Sequence, residues 1–378
     1  MPGFAGATFR GIRRKGVFGG EGGDGQVKQV NEMSNITEQL NTVHHRDFLH
    51  NRLPDKSVNL IIADPPYFEV KGHFDFVWPS FDDYLADVDK WARECKRVLA
   101  DNGTLFWWGM DRKIAYSQVV LDKYFNLLNT LVWERPGLSN EWDSRRNFPE
   151  RGMERLLMYA NDYEPGEWQM TGWERVLEEK IKPRHPFALY LKSEFERACK
   201  PVAEVRRWVV SHLGFDSAMI NRWLEGNSIM KPEIYQSFRG YLGHGFLCRP
   251  YEELRAEYEE LRRPFDNFMG LTDVLKFPQD AYKNGAPGHE TPKPEKLTRA
   301  LILTCSRPGN LVLAPFCGSG TEVAMAARER RRWVGYDIEG KYVSMANERT
   351  TKETRQVSVL DFQPGVSPVF EQAKMFED

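Results

Sequence analysis

The sequence has few of the features that mark several large protein classes, and each absence removes one. Its five cysteines, at positions 95, 199, 248, 305 and 317, show no paired spacing. Neither a zinc site nor a disulfide framework is implied, no metal is expected, and the thiols are expected to be reduced. No apolar run approaches the roughly 20 residues needed to cross a bilayer. The first 25 residues are rich in glycine and basic side chains without an apolar signal core, which gives an expectation of a cytoplasmic protein with no membrane partner. A formal charge of −2 excludes nucleic-acid binding through bulk charge, so any such contact has to come from a local basic face. No internal repeat and no nucleophilic cysteine motif is visible.

What is present is alternation. With 41% apolar residues in 378 positions, the chain can bury a core for one large domain and a smaller one. Residues 1–35 lack apolar periodicity and read as a flexible extension. Val58 to Ala63 is an apolar run of strand length. From Phe81, apolar positions recur at helical spacing to Leu99, Asn102-Gly103 reads as the stop, and Thr104 to Trp108 as the next strand. Leu127 to Trp133 and Arg155 to Tyr159 read as further strands, and the pattern predicts an α/β fold with a mostly parallel sheet. Between 183 and 265 it changes to helices: one over Phe195 to His212, a turn at Leu213-Gly214-Phe215, a short helix from Ser217 to Leu224 opened by a serine cap, and a charged connector over Tyr251 to Arg263. The expected organisation is a catalytic domain from 36–182 and 266–355, interrupted by a helical insert at 183–265 and followed by a tail at 356–378.

Two segments carry chemistry. Asp64-Pro65-Pro66-Tyr67 follows the run 58–63, placing a carboxylate, a stiffened backbone carbonyl and an aromatic ring at one strand end. An exocyclic amino group on adenine or cytosine is a poor nucleophile because its lone pair is delocalised into the ring. Two acceptors aimed at its hydrogens, the Asp64 carboxylate and a prolyl carbonyl, favour the pyramidal form in which that pair is available. Tyr67 offers a face on which an extruded base can stack, and Phe68 either stacks too or packs in the core. The second segment, Asn310 to Thr321, reads as a strand breaking into a glycine turn and then a helix over Glu322 to Arg331. Gly318 and Gly320 allow close approach of a ligand, and Asp337, ending the next strand, is placed to bind ribose hydroxyls. This turn lacks the Gly-Lys-Ser/Thr ending of a phosphate loop and the full Gly-x-Gly-x-x-Gly pattern of dinucleotide enzymes. Arg328, Arg330, Arg331 and Arg332 then read as charges facing a helix dipole.

Together, Asp64-Pro-Pro-Tyr67 and Phe316-Cys317-Gly318-Ser319-Gly320-Thr321 resemble the catalytic and cofactor motifs of amino-directed, S-adenosylmethionine-dependent DNA methyltransferases, and their order resembles the beta group. His289 to Leu297 is similar to the segment that precedes the glycine turn in that family. The resemblance implies a Rossmann-like methyltransferase sheet with helices on both faces, and S-adenosylmethionine as cofactor. It places Asp64, Thr291, Lys293, Pro294, the run Phe316 to Thr321 and Asp337 around that cofactor. One position departs from the family pattern: Ala314 stands where an acid usually precedes Pro-Phe, which implies a weaker hold on the cofactor.

The family pattern favours N6 of adenine with Asp64 in the first motif position, by direct transfer to a flipped base in double-stranded DNA. N4 of cytosine and a DNA-binding homologue with impaired catalysis are the alternatives. The insert lies where the beta group carries its target-recognition region. Its helices resemble a repressor-type helix-turn-helix, with Ser217, Asn221 and Arg222 as candidates for DNA contact, against a plain helical insertion with Trp208 and Trp223 in its core. Arg145, Arg146 and Arg151 are further DNA-contact candidates, with a solvated surface as the other reading. A homodimer is compatible with the resemblance, which specifies no restriction partner.

Overall fold

Eight strands form one sheet in the order β1-β8-β7-β2-β3-β5-β4-β6. They are β1 Thr42–His45, β2 Val58–Ala63, β3 Leu99–Met110, β4 Asn126–Glu134, β5 Glu154–Ala160, β6 Val274–Lys276, β7 Leu311–Ala314 and β8 Arg332–Asp337. The structure is a computed structural model and describes residues 40–69, 77–110, 113–134, 154–161, 184–278 and 292–360. These fall in the unit Leu40–Asp378; the unit Met1–Gln39 lies outside the described residues. All neighbouring pairs are parallel except the two made by β5, which runs antiparallel to both β3 and β4. This is the expected mostly parallel α/β sheet.

Burial explains the central strands. Val58, Leu60, Ile61, Ile62 and Ala63 are each at most 1% exposed, and successive side chains of a strand point to opposite faces. Both faces of β2 are therefore covered, as a continuous Val/Ile/Leu run in a parallel sheet requires. Helix α1, Phe81–Val98, covers part of one face with Val88, Trp91, Ala92 and Cys95. Ser80 Oγ accepts from the Asp83 N–H at 3.2 Å, with Asp82 and Asp83 in the first turn and Lys96 and Arg97 in the last, each sign suited to its end of the helix dipole. Helix α2, Ile114–Leu121, follows β3.

The expected stop at Asn102-Gly103 is corrected. Helix α1 ends at Val98, because Leu99 already pairs with Val58 in the sheet. Gly103 instead serves packing within β3, since a Cβ there would lie 2.5 Å from Leu99 Cδ1. Strands β1 and β6 are too brief to show a period in the sequence.

The insert contains α3 His185–Arg197, α4 Val202–Trp208, a π-helical turn Val209–Leu213, α5 Ala218–Leu224, α6 Pro232–Leu242 and α7 Tyr251–Leu261. The single helix expected over Phe195 to His212 does not form. Cys199 has φ +52° and Pro201 sits at the N-cap of α4, and proline both lacks a donor and disfavours helix in the residue before it. The insert has a core of its own, including Phe187, Leu191, Phe195, Ile220, Tyr235 and Phe238. Trp223 is buried in that core, and Trp208 packs against it, stacked on Tyr241 at 4.3 Å. The cap of α5 also differs from expectation: Asp216 Oδ1, and not Ser217, accepts from the Ala218 N–H at 3.0 Å. Asn102 Nδ2 donates to the Glu260 carbonyl at 2.6 Å, tying the end of α7 to β3.

Helix α8, Glu295–Cys305, helix α9, Thr321–Arg328, and helix α10, Gly340–Leu360, are the remaining described α-helices. Residues of all three share a buried cluster with Leu60, Ile62, Val312 and Ala314. The arginines after α9 are not one dipole-facing group. Arg331 is 8% exposed and donates to the Ser306 carbonyl at 2.7 Å and to Ser306 Oγ at 3.0 Å, while Arg332 begins β8.

Candidate active site

The sheet creates one topological switch point. Strand β2 leads through α1 to β3 on one side, whereas β7 leads through α9 to β8 on the other, and β2 and β7 are themselves adjacent, with Leu60 opposite Val312 and Ile61 opposite Leu313. Such a reversal leaves a crevice beyond the carboxyl ends of the two strands. Asp64-Pro65-Pro66-Tyr67 leaves the end of β2 and Pro315 to Gly320 leaves the end of β7, so segments some 250 positions apart open into one cleft of about 480 Å³.

On the β2 side, both Asp64 oxygens are engaged. Tyr67 OH donates to Oδ1 at 2.6 Å and Lys293 Nζ donates to Oδ2 at 2.6 Å. Lys293 is 4% exposed, and its ammonium also lies 3.1 Å from Glu154 Oε2 and 3.3 Å from Tyr67 OH. Glu154 is 3% exposed at the start of β5. A buried ammonium is tolerable here because two carboxylates and a phenol surround it. It also lies 5.1 Å from the centre of the Trp108 ring. Each carboxylate oxygen of Asp64 retains acceptor capacity beyond its one internal bond.

On the β7 side, the turn is pinned from behind. Asp337 Oδ2 accepts from the Gly318 N–H and Oδ1 from the Glu339 N–H, both at 2.8 Å. Burial nonetheless pushes the Asp337 carboxyl above its ordinary value, the two amide bonds opposing the shift. Arg349 of α10 donates to Thr321 Oγ1 at 2.8 Å and the Ser319 carbonyl at 3.3 Å, and pairs with Glu295 at 2.5 Å. Phe316 meets the rings of Trp91 at 4.9 Å and Phe48 at 6.4 Å, both edge-on, and all three line the cleft. Cys317 is buried, and burial pushes its thiol well above its ordinary value, so it is a packing group and not a nucleophile.

Gly320 belongs to the packing of the turn. It has φ +78°, and a Cβ there would lie 2.5 Å from Ala346 Cβ and 2.7 Å from Ala346 Cα in α10. Gly320→Ala is expected to destabilise the protein by about 1–3 kcal/mol through overpacking and left-handed strain, measured as a lowered midpoint in urea; an unchanged midpoint would show that α10 moves aside freely.

All four residues of the first motif line the cleft, as do Lys293, Phe316, Cys317, Gly318, Ser319, Thr321 and Asp337. Gly320 and Pro294 are not among the lining residues; Pro294 is the N-cap of α8. Phe68 is also outside the lining, 8% exposed and packed on Phe81 and Tyr84, so core packing is its role. Thr291, Arg145, Arg146 and Arg151 lie outside the described residues. In the insert, Ser217 and Arg222 are exposed, whereas Asn221 Oδ1 accepts from Arg206 Nη2 at 3.0 Å and is partly committed to joining α4 and α5. Glu154, Glu322 and Arg349 were not found by sequence reasoning. The signal for the first was present: a glutamate opening the apolar strand Arg155 to Tyr159. Among the described residues, no cluster of side chains suited to a metal ion is found, and no helix is long and apolar enough to cross a membrane.

The chain as a whole is similar to known proteins. A family model described as DNA methylase matches residues 58–348. The Type II methyltransferase M.HinfI of Haemophilus influenzae is 24% identical over 335 residues, covering 83% of this chain and 69% of that protein. The DNA adenine methyltransferase YhdJ of Escherichia coli K12 is 23% identical over 330 residues, covering 84% of this chain and 85% of that protein. Among solved structures, one from Thermus thermophilus, assigned as a DNA modification methylase and complexed with S-adenosyl-L-methionine, aligns with a TM-score of 0.44 and 20% identity, covering 83% of this chain and 93% of that one.

Proposed function

The chain belongs to the DNA methylase family, and from that premise we propose that it transfers a methyl group from S-adenosylmethionine to N6 of adenine in duplex DNA. The observation that carries this reading is the meeting of Asp64-Pro-Pro-Tyr67 and the glycine turn in one cleft at the switch point. The adenine assignment is supported by Asp64 and by the adenine-directed relative from Escherichia coli.

The cleft suits the donor. The rings of Phe48, Trp91 and Phe316 supply apolar lining for a flat base, Asp337 retains acceptor capacity for ribose hydroxyls, and the Gly318 turn brings backbone close. When bound, the donor supplies an electrophilic methyl group. The rest is done by the chain. Asp64, with the prolyl carbonyl of Pro65, accepts the amino hydrogens of the target base and favours the pyramidal nitrogen. Lys293 and Tyr67 hold the carboxylate in one orientation, so little reorganisation accompanies the step. The amino nitrogen gains the methyl as the sulfur–methyl bond of the donor breaks and its electron pair stays on sulfur, and the nitrogen sheds one proton, for which Asp64 is the adjacent acceptor. Tyr67 presents a face for the extruded base. Target reading is assigned to the insert, where exposed Arg222 on α5 is the leading side chain for DNA contact.

Incubation of the protein with duplex DNA and methyl-labelled S-adenosylmethionine, followed by digestion to nucleosides, is expected to place the label on N6-methyl-2′-deoxyadenosine. Label on N4-methyl-2′-deoxycytidine would overturn the choice of base, and no incorporation into any DNA tested would overturn the enzyme.

A further inference from the structure

Glu322 is a carboxylate without an assigned purpose. It is the second residue of α9, lines the cleft directly after the glycine turn, and is 5% exposed. Among the described residues no side chain donates a hydrogen bond to it, and its own backbone N–H is the donor that bears on it. Burial pushes its carboxyl up to about 7, Asp64 adding to the push while Lys293 and Arg349 oppose it. Those two cations are engaged elsewhere: Lys293 with Asp64 and Glu154, Arg349 with Glu295 and the Thr321 hydroxyl. Keeping a carboxylate away from water with no cation of its own is costly, and a site that tolerates it is suited to a ligand that brings the cation.

We infer that Glu322 receives the α-ammonium group of the methyl donor, an inference that rests on the reading of this cleft as the donor's site. The donor carries two cationic groups, a sulfonium and an ammonium. Only the ammonium has N–H bonds to donate, and a buried carboxylate requires hydrogen bonds as well as opposite charge. On the other side of the turn, Ala314 is fully buried in the core and offers no side-chain acceptor. Glu322 thus provides, from the start of the helix, a carboxylate that the strand end lacks.

The test is calorimetric titration of the wild type and Glu322→Gln with S-adenosylmethionine, S-adenosylhomocysteine and 5′-methylthioadenosine. The second ligand keeps the ammonium without the sulfonium charge, and the third lacks the amino-acid arm. The variant is expected to bind the first two about 10- to 100-fold more weakly and the third with unchanged affinity, which also shows that its cleft is intact. Unchanged affinity for all three overturns the inference, whatever happens to turnover. A loss confined to S-adenosylmethionine overturns it in favour of the sulfonium, and an equal loss for all three overturns it in favour of a general disturbance of the cleft. Failure of the wild type to bind any of them would instead refute the donor site itself.

Discussion

Asp64→Ala is expected to lower methyl transfer by at least about 100-fold, the scale for removing one preorganised group that acts on charge developing in a transition state, while S-adenosylmethionine binds as tightly as to the wild type. The separation follows from position. Asp64 leaves the end of β2 and is bound by Tyr67 and Lys293, whereas the glycine turn is held by Asp337 and Arg349 from β8 and α10. Removing the carboxylate leaves the turn untouched, and Lys293 keeps Glu154 at 3.1 Å. Asp64→Asn refines the test, because it preserves shape and one acceptor oxygen but loses the charge that orients Lys293 and takes the proton. It should fall between the alanine variant and the wild type. Single-turnover rates with labelled donor, alongside donor titration, make the comparison. An alanine variant turning over at the wild-type rate would remove Asp64 from the chemistry, and one that no longer binds donor would make it a cofactor ligand.

Legibility in the sequence divides along physical lines. The β2 run and its Asp-Pro-Pro-Tyr ending were readable because a strand buried on both faces has to be continuously apolar, and because proline fixes where it stops. The glycine turn was readable for a similar reason: Gly318 and Gly320 have φ of +45° and +78°, which few other residues tolerate. What was hidden depends on pairing across the fold. Nothing near Glu154 or Lys293 in the sequence shows that they meet, because the contact is made only when β5 lies beside β3 and the segment before α8 crosses the sheet end. Arg349 was hidden likewise, since a lone arginine on a polar helix ordinarily reads as solvated. In the insert, apolar spacing over Phe195 to His212 suggests one helix, although Pro201 within it is the better guide.

Lys293→Met is expected to produce the largest loss of stability, about 3–5 kcal/mol, because it removes the ammonium shared by two carboxylates of a buried ion pair. Glu154 and Lys293 are 3% and 4% exposed, and Asp64 Oδ2 lies 2.6 Å from the same ammonium. Once the lysine is gone, the buried Glu154 carboxyl has to ionise without the ammonium 3.1 Å from its Oε2, and burial raises its folded value above that of the unfolded chain. A group raised in this way contributes stability that is lost as pH increases, so the deficit should be larger at about pH 8 than at about pH 5. Replacing both members, Lys293→Met with Glu154→Leu, removes both charges and should recover most of the loss, since a buried pair exchanged for apolar groups of similar size is often neutral. Recovery of fold is not recovery of function: the double variant still lacks the cation that orients Asp64, and its transfer rate should remain low. Urea unfolding of the two single variants and the double variant gives the coupling energy directly. If Lys293→Met unfolds at the wild-type midpoint and its deficit does not grow with pH, the three charged groups do not form the compact unit that the geometry describes.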